Sequence, residues 1–155
     1  MSVPFNDLKP KVLAHRAAID RAIARVLDRG WFILGPEVEA FEKELAAAMG
    51  VKDAVSVANG TDALILALEV KGIGPGDEVI TSPMSAAFSA LAISRLGATP
   101  VFGDVDPVTM NLDPSTIEAR ITPRTRGILP VHLYGHPADL DPIMEIARRH
   151  NLIVV

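Results

Sequence analysis

Short apolar runs alternate with helical segments along most of this chain, and that alternation restricts its fold more than any other feature. The runs occupy residues 54–58, 79–81, 100–103, 127–131 and 152–155. The segments between them, 61–71, 85–96, 114–120 and 138–150, read as helices. The runs lack a polar residue at every second position. Strands of that kind are covered on both faces, as in a parallel sheet wrapped by helices. Repeated strand–helix order predicts a doubly wound α/β domain. Gly74-Pro75-Gly76-Asp77, Asp106-Pro107 and Asp113-Pro114 supply the turns. In the last, Asp113 is placed to cap a helix and Pro114 to begin it.

The first 50 residues follow a different pattern, that of two helices. Residues 14–27 put Ile19, Ala22, Ile23 and Val26 on one face, and Gly30 ends the helix. A loop, Trp31-Phe32-Ile33-Leu34-Gly35, leads to Pro36 in the first turn of a second helix. Val38, Phe41, Leu45 and Met49 share its apolar face, and Gly50 follows. The expected organisation is a helical segment over 1–50 and an α/β domain over 51–155. The last run, Leu152-Ile153-Val154-Val155, reads as the start of a buried strand. Ligands in open α/β sheets bind just beyond strand carboxyl ends, so this reading puts a functional position directly after Val155.

Composition narrows the function classes. The net charge of −4, with no basic stripe, argues against a nucleic-acid or membrane-surface partner. Residues 1–7 lack the layout of a signal peptide, and no apolar run approaches the ~20 residues of a membrane helix. The expected compartment is the cytoplasm. With no cysteine in the chain, disulfides, thiolate metal sites and a cysteine nucleophile are excluded.

The strongest local signal is Val57-Ala58-Asn59-Gly60-Thr61-Asp62-Ala63-Leu64. A strand ends, a glycine allows a tight turn, and a helix begins at once. Such a helix start presents free backbone N–H groups and the positive end of a dipole, a natural seat for phosphate. Thr61 adds a hydroxyl. The plainer alternative is that Thr61 or Asp62 only caps the helix. Ser82-Pro83, Asp104 and His132-Leu133-Tyr134-Gly135 fall at the ends of later strands, on the same rim. Neither a dinucleotide glycine fingerprint after a strand nor a P-loop is present.

Other polar residues read more plainly. His132 and His136 are four apart but flank a turn, so zinc-helix spacing does not apply. No metal site is expected, and His132 is expected to be a hydrogen-bonded rim residue. Turn formation and capping account for Asp104 and Asp106. Arg124 and Arg126 read as a solvated turn. Lys71, before Gly72, offsets a helix dipole.

The ordered set of motifs resembles the DegT/DnrJ-type nucleotide-sugar aminotransferases. Gly35-Pro36-Glu37-Val38 with Phe41-Glu42, Asn59-Gly60-Thr61-Asp62-Ala63-Leu64 and residues 72–80 (GIGPGDEVI) carry the resemblance. So do residues 97–102 (GATPVF), Asp104-Val105-Asp106-Pro107, Ile121-Thr122-Pro123-Arg124-Thr125 and residues 130–135 (PVHLYG). The resemblance implies the large domain of the aspartate aminotransferase fold, with pyridoxal 5'-phosphate as cofactor. It implies transfer of an amino group, commonly from glutamate, to a keto sugar on a nucleotide. Such sugars serve cell-envelope or secondary-metabolite biosynthesis.

Carried over by residue, the resemblance puts the cofactor phosphate at Gly60, Thr61 and the backbone N–H of Asp62. The family's stacking aromatic aligns with Ala86, a departure, and Phe88 lies two residues on. Either Phe88 substitutes for the ring or the stacking is weaker in this branch; the plainer alternative makes Phe88 a core residue of its helix. The loop at Trp31, Phe32 and Ile33 corresponds to a region near the dimer interface, which implies a homodimer and burial of this loop. The family's pyridinium-pairing acid would follow residues 152–155, and its catalytic lysine would lie further on. None of the five lysines, Lys9, Lys11, Lys43, Lys52 and Lys71, matches. The chain alone is therefore expected to be inactive. A non-catalytic phosphate-ligand or regulatory module, and one half of a split enzyme, are the alternatives.

Overall fold

In the computed structural model, which describes residue 4 and residues 6–155, four strands form one wholly parallel sheet. Met1, Ser2, Val3 and Phe5, part of the stretch read above for a signal peptide, lie outside the described residues. The strands are β1 (Glu78–Thr81), β2 (Thr99–Phe102), β3 (Thr125–Leu129) and β4 (Ile153–Val154), in the spatial order β2-β1-β3-β4. Ile80 lies between Val101 and Ile128, and Ile128 is paired with Val154. The outermost β2 carries Pro100, tolerated where no neighbour needs its missing N–H.

Alternation along the central strands sends apolar side chains to both faces. Val79 and Leu129 pack with Leu68 of α4 (Gly60–Val70) and with Ala92 and Ile93 of α5 (Phe88–Arg95). Ile80 and Ile128 pack with Ile143, Ile146 and Ala147 of α6 (Leu140–His150), and with Leu112 and Ile117. Ile80, Ile93, Ile128 and Ile143 are fully enclosed. Each contributes about 2–3 kcal/mol through apolar burial. Asn151, in the left-handed conformation, ends α6 and turns the chain into β4. Among the described residues, no helix is long and apolar enough to cross a membrane.

Two compact units divide the chain, Met1–Ser56 and Val57–Val155. In the first, α1 (Lys9–Ala14), α2 (Arg16–Arg29) and α3 (Pro36–Met49) replace the two helices expected. Gly30 and Gly50 end α2 and α3 in left-handed conformations, as anticipated. The loop between them is internally braced. Trp31 Nε1 donates to the Ile33 carbonyl at 2.6 Å, and Arg29 pairs with Glu37 at 2.7 Å. Buried Gly35 has Trp31 so close that a Cβ would lie 3.1 Å from its carbonyl oxygen. Trp31, Phe32, Ile33 and Leu34 are exposed.

Several sequence-based boundaries need correction. Residues 54–58 belong to no strand: an apolar run becomes a strand only where a neighbour accepts its ladder, and among the described residues only Ser56 N–H is engaged, by Glu42 Oε1 at 2.6 Å. The expected helix at 114–120 is two 3-10 turns, Pro114–Thr116 and Glu118–Arg120. Asp113 does cap the first, accepting Ser115 N–H at 2.8 Å. The Thr116 hydroxyl bonds back to the Asp113 carbonyl and accepts Asp104 N–H, which holds the turn tight. Helix α5 begins at Phe88 rather than 85, and α6 at Leu140 rather than 138. Arg124 is more than a solvated turn residue, because its guanidinium pairs with the buried carboxylate of Glu78.

Candidate functional site

Strand order reverses between β1 and β3. From β1 the chain moves out to β2 through α5; from β3 it moves the other way to β4 through α6. The two helices lie on opposite faces, so β1 and β3 form a topological switch point, the position beyond whose carboxyl ends open α/β sheets take ligands. The Thr81 hydroxyl donates to the Leu129 carbonyl at 2.8 Å and ties the strands together at that end. Helix α4 leads into β1, so its first turn lies at the same end of the sheet.

That first turn is capped by Asn59, not by Thr61 or Asp62. Asn59 is extended, and its carbonyl accepts the first helical bond, from Ala63 N–H at 3.1 Å. Asn59 Oδ1 accepts Asp62 N–H at 2.9 Å, and Asn59 Nδ2 donates to Asp62 Oδ2 at 2.9 Å. The pair satisfies one orphan donor of the helix and draws the Asp62 carboxylate back onto an amide. The N–H groups of Gly60 and Thr61, and the Thr61 hydroxyl, meet no hydrogen-bond partner among the described residues. A Cβ at Gly60 would have nothing within 4 Å. The turn thus offers two free backbone donors, one hydroxyl and open space, a set suited to a phosphate oxygen.

A concavity of 810 Å³ borders this turn, lined by Gly60, Thr61 and Asp62 together with Phe88, Leu91 and Arg95. Phe88 opens α5 and is 58% exposed, so the reading of it as a core residue fails. Ala86 sits in the loop before α5, outside this lining, with its carbonyl bonded to the Ser85 hydroxyl at 2.8 Å. The structure therefore gathers Gly60, Thr61, Asp62 and Phe88 around one hollow and leaves Ala86 apart.

The other rim residues serve the backbone. His132 Nδ1 accepts Ala138 N–H at 2.9 Å, which leaves its ring proton to Nε2. Asp104 Oδ1 accepts Val105 N–H at 2.8 Å. Asp106 Oδ1 accepts Val108 N–H and Thr109 N–H at 3.0 and 2.7 Å. The Thr109 N–H foremost holds the Asp106 carboxyl below the usual carboxylate range. Among the described residues no three His, Cys, Asp or Glu side chains converge as a metal site would require.

Two polar residues escaped the sequence reading. Asn59 had a legible signal, since a helix is often preceded by Asn, Ser, Thr or Asp. Asn111 had none. It is 2% exposed, and its carboxamide bridges to the turn after β3, 22 and 25 residues away.

Comparison with known proteins finds relatives along nearly the whole chain. The model of the DegT/DnrJ/EryC1/StrS aminotransferase family matches residues 14–155. A dTDP-3-amino-3,4,6-trideoxy-alpha-D-glucose transaminase of Streptomyces venezuelae is 54% identical over 153 residues, 99% of this chain and 40% of that protein. A UDP-2-acetamido-2-deoxy-3-oxo-D-glucuronate aminotransferase of Pseudomonas aeruginosa is 48% identical over 99% of this chain and 43% of its own length. Among solved structures, DesV of S. venezuelae in complex with ketimine intermediate superposes with a TM-score of 0.94 at 54% identity, covering 98% of this chain and 41% of that one. A Bacillus subtilis protein, NtdA with bound cofactor PMP, gives 0.91 at 38% identity, over 99% and 35%. The chain thus spans about 40% of the length of the curated relatives it matches.

Proposed function

This chain belongs to the DegT/DnrJ/EryC1/StrS aminotransferase family, and on that premise we propose that it is the cofactor-anchoring N-terminal portion of a pyridoxal-phosphate-dependent nucleotide-sugar aminotransferase. The observation that carries the reading is the α4 start: free Gly60 and Thr61 N–H groups and a free Thr61 hydroxyl, facing the same hollow as Phe88. The cofactor phosphate sits on those donors, where the helix dipole favours a dianion. Phe88 lies against the pyridine ring in place of an aromatic at 86. When bound, pyridoxal phosphate carries the amino group between donor and acceptor.

On this reading the chain holds the phosphate end of the cofactor, and residues outside it serve the reactive end. Lys71 follows the last residue of α4, at the opposite end from Thr61. Lys9, Lys11, Lys43 and Lys52 match no position of the family's catalytic lysine. In this reading the catalytic lysine and the acid that pairs with the pyridine nitrogen come from outside the 155 residues. The amino donor is glutamate and the acceptor a nucleotide-linked keto sugar. The complete enzyme is a homodimer, with the braced Trp31, Phe32, Ile33 and Leu34 loop buried at its interface.

The test is an amide-resolved titration of the chain with pyridoxal phosphate, with inorganic phosphate as competitor. Saturable shifts confined to Gly60, Thr61 and their neighbours, reversed by phosphate, are expected. Turnover of a nucleotide-linked keto sugar with glutamate by the chain alone would contradict the division of labour. Unmoved Gly60 and Thr61 signals would contradict the cradle.

A further inference from the structure

We propose that Tyr134 is a substrate-contacting residue, its phenol presented to the sugar nucleotide by a strained turn at the carboxyl end of β3; the inference rests on the sugar-aminotransferase reading above. Tyr134 has φ 54° and ψ 23°, the left-handed conformation, and Gly135 follows at φ 77°. A bulky aromatic residue in that region is an outlier, whereas glycine adopts it freely. Packing within the chain does not offset the strain, because Tyr134 is 85% exposed.

The turn is nevertheless held from three sides. Asn111 Oδ1 accepts Leu133 N–H at 3.0 Å, and Asn111 Nδ2 donates to the His136 carbonyl at 2.9 Å. His132 Nδ1 accepts Ala138 N–H, and His136 N–H closes onto the Leu133 carbonyl at 3.0 Å. Backbone strain that surroundings over-determine in this way is a mark of functional positions. What the ring contacts lies outside the chain's own core. Its place favours a small ligand: the turn leaves β3, one of the two strands at which the sheet order reverses. A phenol offers a flat face to a pyranose or base ring and a hydroxyl that donates and accepts.

Tyr134 is the one tyrosine of the chain, so ring-13C tyrosine labelling reports on it alone. In a titration of the chain with dTDP-glucose, the Tyr134 ring signals are expected to shift saturably. Tyr134→Gly is expected to raise the thermal midpoint, by removing the left-handed strain, and to weaken dTDP-glucose binding about tenfold. Ring signals that ignore dTDP-glucose overturn the inference. So do ring signals that shift with protein concentration alone, which would assign the ring to a second copy. A Tyr134→Gly variant with lower stability and unchanged affinity also overturns it. A silent ring beside responsive Gly60 and Thr61 amides in pyridoxal phosphate rejects this inference alone; silence of both sets rejects the functional reading with it.

Discussion

Asn111 and His136 are 25 residues apart in sequence, yet the carboxamide of one donates to the carbonyl of the other at 2.9 Å. The same carboxamide accepts Leu133 N–H, so one buried side chain satisfies both ends of the turn that carries Tyr134. Asn111→Ala leaves a donor and an acceptor without partners, at a cost of about 2–3 kcal/mol. Urea unfolding measures that loss. Faster hydrogen exchange at Leu133 would accompany it as the turn opens. Asn111→Asp should not rescue stability, because it sets a carboxylate against the His136 carbonyl. A wild-type midpoint in either variant would remove Asn111 from this role.

Glu78 gives the fold an acid limit. It starts β1, is 6% exposed, and accepts hydrogen bonds from the Thr122 hydroxyl and from Arg124 Nε at 3.0 Å. Thr122 foremost, then Arg124, hold its carboxyl below the usual carboxylate range. The unfolded chain titrates this group near pH 4.3, above its folded value. Its stabilisation is therefore complete above pH ~4.3 and is lost as pH falls through the folded value. Asp106 and Glu118 are shifted in the same direction and remain in a Glu78→Gln variant. Between pH 5 and pH 3 the wild type should thus lose more stability than Glu78→Gln, measured by urea midpoints. Parallel losses would exclude Glu78 as a source of the acid limit.

What the sequence disclosed follows from the range of the forces involved. The apolar runs that became β1 and β3, and the helices α4, α5 and α6, were legible, because enclosure on both faces leaves an unbroken apolar run in a strand and packing on one side leaves an apolar stripe on a helix. Asp113 and Gly30 were legible because caps act within a few residues. Residues 54–58 carry the same apolar signature as β1 but lack a ladder partner, which local composition does not report. The partner of Arg124, and the hold of Asn111 on the turn after β3, depend on contacts 22 to 46 residues away. At the candidate site, the motif at Gly60, Thr61 and Asp62 was readable. The cap role of Asn59 had a signal too, since asparagine commonly precedes a helix, but Thr61 and Asp62 competed for the same reading.

Gly127 lets β4 approach β3. A Cβ there would lie 2.8 Å from Ile153 Cγ1 and 3.4 Å from Ile153 Cδ1. Gly127→Ala should cost about 1–3 kcal/mol through overpacking. In an Ile153→Ala background both side-chain obstructions are gone and only the backbone carbonyl oxygen of residue 153, at 3.4 Å, remains, so the same substitution should cost markedly less. A double-mutant cycle measures the difference. Additive losses would show that Gly127 is retained for another reason.

Asn59 and Thr61 separate capping from ligand binding on one helical turn. Asn59→Ala removes the acceptor of Asp62 N–H and should cost about 1 kcal/mol of stability. It also frees that N–H for an anion, so affinity for pyridoxal phosphate should persist. Thr61→Val removes a hydroxyl with no partner among the described residues. It should leave the thermal midpoint nearly unchanged while weakening pyridoxal phosphate about tenfold, the value of one lost bond to a charged group. Calorimetry and thermal unfolding on the same two proteins distinguish the roles. Loss of stability in Thr61→Val, or loss of affinity in Asn59→Ala without it, would reverse the assignment of cap and cradle.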